Sequence, residues 1–172
     1  GVAAVPAAGA FSRPDGVPGW VLVALVTVAI VTDYYDGVVA RWNGTASARG
    51  MLFDHTTDCL FVTAGLAGAS LAGLVPALLP VLVVVAFTQY VLDSYFLHRQ
   101  KQLRMSTLGR WNGVLYFAPL VQIALARLEW LPALADLAGA VVRPFSIVLV
   151  VSTVASLADR AAAPLRARAS VR

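Results

Sequence analysis

Long apolar runs, separated by short basic or turn-rich stretches, dominate this chain, and their lengths predict helices rather than strands. A helix needs about 20 apolar residues to cross the hydrocarbon core of a bilayer. Five runs reach that length, at about Pro18–Arg41, Gly50–Leu74, Pro76–His98, Trp111–Leu128 and Val142–Arg160. Segment 131–141 (LPALADLAGAV) is too short to span, and is expected to lie at an interface or to extend the fifth helix. Residues 1–11 (GVAAVPAAGAF) read as the tail of an earlier span that the sequence does not otherwise contain. The expected fold class is all-α, a polytopic transmembrane bundle of five full spans plus the remnant of a first helix. One catalytic domain would cover 1–172, with a remnant and external loop over 1–17 and a basic cytosolic tail over 161–172.

Composition supports a bilayer as the solvent. Hydrophobic residues make up 59% of the 172 and charged residues 13%, against about 45–50% and about 25% in soluble domains. Cys59 is the single cysteine, which excludes a disulfide scaffold. A formal charge of +4 would suggest nucleic acid in a soluble chain. Here the basic residues fall between apolar runs and report topology, so no nucleic-acid partner is expected. Alternating the loops puts Arg41, Arg49, Arg99, Lys101, Arg104, Arg110, Arg160, Arg166, Arg168 and Arg172 on one side, and Arg13, Arg127 and Arg143 on the other. The first group marks the cytosolic face. A multi-pass protein of a bacterial inner membrane, with its active site toward the cytosol, is the expected setting.

Four of the nine acidic residues, Asp33, Asp36, Asp54 and Asp58, fall within 26 positions on the first two spans. A carboxylate at mid-span costs roughly 2.5–3.5 kcal/mol on the insertion scale, so some gain must offset four of them. At about 100° per residue, Asp33, Asp36, Gly37, Ala40 and Arg41 share one helical face. Gly50, Asp54 and Asp58 form a similar stripe on the next helix. The eight-residue connection Trp42–Arg49 predicts antiparallel neighbours whose stripes face one pocket. Crowded carboxylates stay ionised only with cations among them, and oxygen ligands select hard ions such as Mg²⁺, Mn²⁺ or Ca²⁺. Four negative charges match two divalent ions, an arrangement that suits displacement at phosphorus. Gly37 and Gly50 let a ligand approach the backbone, and Arg41 offers a fork for phosphate.

The pattern Asp33-x-x-Asp36-Gly37-x-x-Ala40-Arg41, eight residues, then Gly50-x-x-x-Asp54-x-x-x-Asp58 resembles the signature of the CDP-alcohol phosphotransferases at every specified position. That resemblance implies a six-helix integral membrane enzyme, usually a homodimer, that makes phospholipids. Such an enzyme transfers a phosphatidyl or related group from a CDP-linked donor, such as CDP-diacylglycerol, to an alcohol acceptor, and releases CMP. By the same resemblance Asp33, Asp36 and Asp54 would bind Mg²⁺ or Mn²⁺, and Asp58 would join the metal site and act as base. Gly37, Ala40 and Gly50 would make room for the cytidine nucleotide, and Arg41 would touch its diphosphate. Five spans stand where the family has six, and the orientation of the basic loops puts the sixth before residue 12.

Other polar residues have plainer explanations beside the functional ones. Positive-inside topology accounts for the charges of 98–113 (HRQKQLRMSTLGRWNG), while Arg104 and Arg110 are the candidates there for phosphate contacts. Leu108-Gly109-Arg110 resembles a Gly-Lys element of that family, with Arg in place of Lys. His55 occupies an unspecified position inside the motif, and Asp93 is expected to be solvated at the interface. Gly65, Gly68 and Gly73 are expected to serve close helix packing, as is Cys59. Two other functions use clustered aspartates, a Mg²⁺-dependent membrane prenyltransferase and a divalent-cation transporter. The first places its clusters on distant helices, and the second has no need of Gly37, Ala40 and Arg41.

Overall fold

The computed structural model describes the backbone of residues 4–13, 16–43, 47–92 and 107–169, and their side chains except at 4, 33–34, 36–37, 40–41, 48–49, 51 and 163–169. The described residues form helices and no strands: α1 (Ala4–Ser12), α2 (Gly19–Trp42), α3 (Ala48–Leu71), α4 (Leu78–Leu92), α5 (Thr107–Leu115), α6 (Ala118–Ala126) and α7 (Pro132–Ala169). The all-α bundle expected from the apolar runs is present. The fourth run is divided between α5 and α6. Pro119 has no N–H, and its ring would collide with the carbonyl four residues back, at Leu115, where α5 ends. Segment 131–141 extends the fifth run, giving a single 38-residue helix.

Packing follows the small residues. α1 lies along α3, α4 bridges α3 and α7, α7 also receives α5 and α6, and α2 rests on α6. A Cβ on Gly68 would collide with the Ala8 carbonyl, so glycine there sets how closely α1 approaches α3. Gly19 allows the same approach of α2 to the Arg127 carbonyl. The Arg127 guanidinium donates to the carbonyls of Ala10 and Phe11 at 3.1 and 3.4 Å, satisfying acceptors that the end of α1 leaves open. Gly73 departs from its expected packing role: with φ 75° and no atom near its Cβ position, it turns the chain after α3. The core joins Phe11, Leu22, Val26, Leu66, Leu79, Leu120 and Leu149 from six helices. Val148 and Val151 on α7, Leu60 on α3 and Val81 on α4 face outward.

Candidate functional site

The second half of the aspartate pattern is built by the start of α3. Ser47 caps this helix, its Oγ accepting from the Gly50 N–H at 3.0 Å. A Cβ at Gly50 would lie 3.2 Å from that oxygen, so the cap itself favours glycine. One and two turns on, Asp54 and Asp58 share a face. Their carboxylates and the His55 imidazole each offer a ligand atom, all within 4.8 Å of one another and half-buried. Two oxygen donors and one nitrogen donor at this spacing fit a divalent cation. The intervening hydroxyls stay out of the cluster: Thr56 donates to the Leu52 carbonyl at 2.6 Å and Thr57 to the Asp54 carbonyl at 2.8 Å.

The first half of the pattern stands on the last turns of α2, which is helical through Trp42. The side chains of Asp33, Asp36, Gly37, Ala40 and Arg41 lie outside the described residues, as do Asp93 and Arg104 altogether. Ile30 borders the same cavity as Asp58. In helical register Asp33, Gly37 and Arg41 follow Ile30 at one, two and three turns.

That cavity measures about 370 Å³, within the range of small-ligand sites. His55, Asp58, Cys59 and Val62 line it from α3, and Val83, Phe87, Gln89 and Tyr90 from α4. Gly109, Arg110 and Gly113 close it from α5, and Ser156, Leu157 and Arg160 from α7. Tyr90, one of the lining residues, is buried. Its ring meets His55 at 6.2 Å and Phe87 at 6.2 Å, and the Arg160 guanidinium carbon sits 5.6 Å from the ring centroid.

Behind the cavity, a polar seam joins α5 to α7. Ser152 Oγ donates to Asn112 Oδ1 at 2.7 Å, and the Tyr116 hydroxyl lies 2.8 Å from Thr153 Oγ1. Thr153 gives its own proton to the Leu149 carbonyl, so Tyr116 is the donor to Thr153. Of the candidate site residues, Asp58 and Arg110 line the cavity, and Asp54 stands beside Asp58 in the donor cluster. The fold adds His55 as a third donor, and Tyr90 and Arg160, which the sequence offered only as an aromatic in an apolar run and a topology marker.

A family model described as CDP-alcohol phosphatidyltransferase matches residues 2–157, nearly the whole chain. The chain belongs to the CDP-alcohol phosphatidyltransferase family. It is therefore an enzyme of the transferase class, from a family of integral membrane proteins that generally require a divalent metal. Neither the curated proteins nor the solved structures gave a match. Among the described residues, Pro132–Ala162 is long and apolar enough to cross a membrane.

Proposed function

We infer that this protein transfers a phosphatidyl-type group from a CDP-linked lipid to an alcohol and releases CMP. The observation that carries the reading is the donor cluster Asp54, His55 and Asp58, of which His55 and Asp58 line one cavity with Arg110 and Arg160. The membrane setting is supported by the outward-facing valines and leucines and by the apolar span of α7. Neither the prenyltransferase nor the transporter reading has an observation of its own beside the family match.

In this reading Asp33, Asp36, Asp54 and Asp58 would hold two divalent ions, Mg²⁺ or Mn²⁺, which would supply positive charge to the donor's diphosphate. Arg41 meets the diphosphate, and Gly37, Ala40 and Gly50 leave space for the nucleotide. Arg104 and Arg110 supply further positive charge for phosphate. Asp58 takes the proton of the acceptor hydroxyl. The hydroxyl oxygen then bonds to the lipid-bearing phosphorus as the bond from that phosphorus to the CMP oxygen breaks. The deciding experiment measures CMP release from CDP-diacylglycerol by purified protein. Release should cease with chelator and return with Mg²⁺ or Mn²⁺. Full activity after thorough chelation would sink the two-ion reading.

A further inference from the structure

The aspartate pattern offers oxygen donors alone, and His55 stands at a position that the pattern leaves open. The fold nonetheless brings an imidazole nitrogen within 4.8 Å of carboxylate oxygens of Asp54 and Asp58. Two donors on opposite sides of one ion stand about 4–4.6 Å apart, given bonds of about 2.0–2.3 Å. The trio is therefore at the reach of a single ion. Helical register makes Asp58 its centre: at about 100° per residue, Asp58 falls about 40° from Asp54 and about 60° from His55. His55 takes the side of α3 that faces α4, where its ring meets the buried Tyr90 at 6.2 Å. Phe87 and the Arg160 guanidinium pack on Tyr90 in turn, so the imidazole has a fixed backing.

A nitrogen donor changes which ion a carboxylate site prefers. Mg²⁺ dehydrates reluctantly and favours carboxylate and water oxygens. Imidazole suits transition ions better, and Mn²⁺ accepts both kinds of ligand. Deepening the phosphatidyl-transfer reading, and resting on it for what the metal does, we propose that His55 is a nitrogen ligand of the metal site and makes that site select Mn²⁺ over Mg²⁺. Asp58 shares the ion with it. Tyr90 is a positioning residue that holds the imidazole toward that ion.

The test uses the full chain in detergent micelles, without a histidine tag, and Mn²⁺ itself as the probe. Spin-echo modulation of the bound Mn²⁺ should show imidazole nitrogen coupling in the wild type, and replacing histidine nitrogen by its heavier isotope should alter it. The chain has two histidines. His55→Gln should abolish the coupling, and His98→Gln should leave it. By calorimetry, His55→Gln should weaken Mn²⁺ binding at least tenfold and Mg²⁺ binding less than threefold. Tyr90→Leu should weaken Mn²⁺ about tenfold, the scale for a residue that orients a metal ligand. Tyr90→Phe, which keeps the ring, should restore it, and Mg²⁺ affinity should follow neither variant.

Bound Mn²⁺ without nitrogen coupling in the wild type overturns the proposal, and that outcome needs no variant to fold. So does wild-type protein that binds no Mn²⁺, coupling that survives His55→Gln, or equal losses of Mn²⁺ and Mg²⁺ affinity in a His55→Gln protein of wild-type helicity. CMP release from CDP-diacylglycerol is scored apart. Nitrogen-bound Mn²⁺ in a protein that releases no CMP keeps the ligand assignment and sinks the transfer reading. CMP release with nitrogen-free Mn²⁺ does the reverse.

Discussion

Asp54 and Asp58 stand one turn apart and share His55 as a neighbour, yet their losses should read differently. Asp54→Ala removes a ligand and leaves the other carboxylates repelling one another. Both turnover and affinity for CDP-diacylglycerol should collapse. Asp58→Asn keeps the shape and removes the charge, so turnover should fall about 10²-fold or more, the scale of general-base catalysis. Donor binding should survive it better, because the remaining aspartates still hold metal. Parallel measurements of CMP release and equilibrium donor binding separate the two; near-normal turnover in Asp58→Asn would move the proton to another group. His55 tests a finer point. Its imidazole completes the donor trio and its ring is braced on Tyr90 at 6.2 Å. His55→Ala should raise the Mn²⁺ concentration needed for half-maximal activity by about 10-fold or more, the scale seen when a metal's supporting shell is lost. An unshifted Mn²⁺ titration would leave His55 a packing residue.

Helix α1 shows how element packing depends on single atoms. Gly68→Ala drives a Cβ into the Ala8 carbonyl, whereas Gly9→Ala on α1 meets nothing within 4 Å. The first should cost about 1–3 kcal/mol by overpacking, and the second should gain up to about 1 kcal/mol from helix propensity. Thermal unfolding of the two variants should therefore shift in opposite directions, and equal shifts would mean that α1 docks elsewhere. Neither contact could be read from the sequence, where Gly68 was one small residue among several. The helices themselves were legible, because each apolar run is long and local. The break between α5 and α6 was not, because Pro119 sits in the apolar stretch LYFAPLV, which keeps its hydropathy on both sides of the interruption. The site divides in the same way. Asp54 and Asp58 announce themselves by i,i+4 spacing on one helix. Tyr90 and Arg160 reach it from α4 and α7, 70 residues apart in the chain, and no periodicity carries such a meeting.

At the scale of the whole molecule, three described arginines mark the two ends of the bundle. Gly19, the first residue of α2, lies against Arg127, which also holds the end of α1. From there α2 rises about 20 Å to Asp33, at 1.5 Å per residue. Asp58 on α3, Arg110 on α5 and Arg160 on α7 line the cavity, with Asp54 beside Asp58. These two arginines line the cavity, while Arg127 holds the end of α1. Lys and Arg are retained on the cytosolic side during insertion, so the cavity end should face the cytosol, where a CDP-linked donor would be met. Two exposed positions report this, Asn43 just past α2 and Trp130 before α7. In a Cys59→Ser background, Trp130→Cys should react with a membrane-impermeant maleimide in sealed cells. Asn43→Cys should react only once the membrane is opened. The reverse pattern would turn the cavity away from the cytosol, and the placement of these arginines would then need a cause other than insertion.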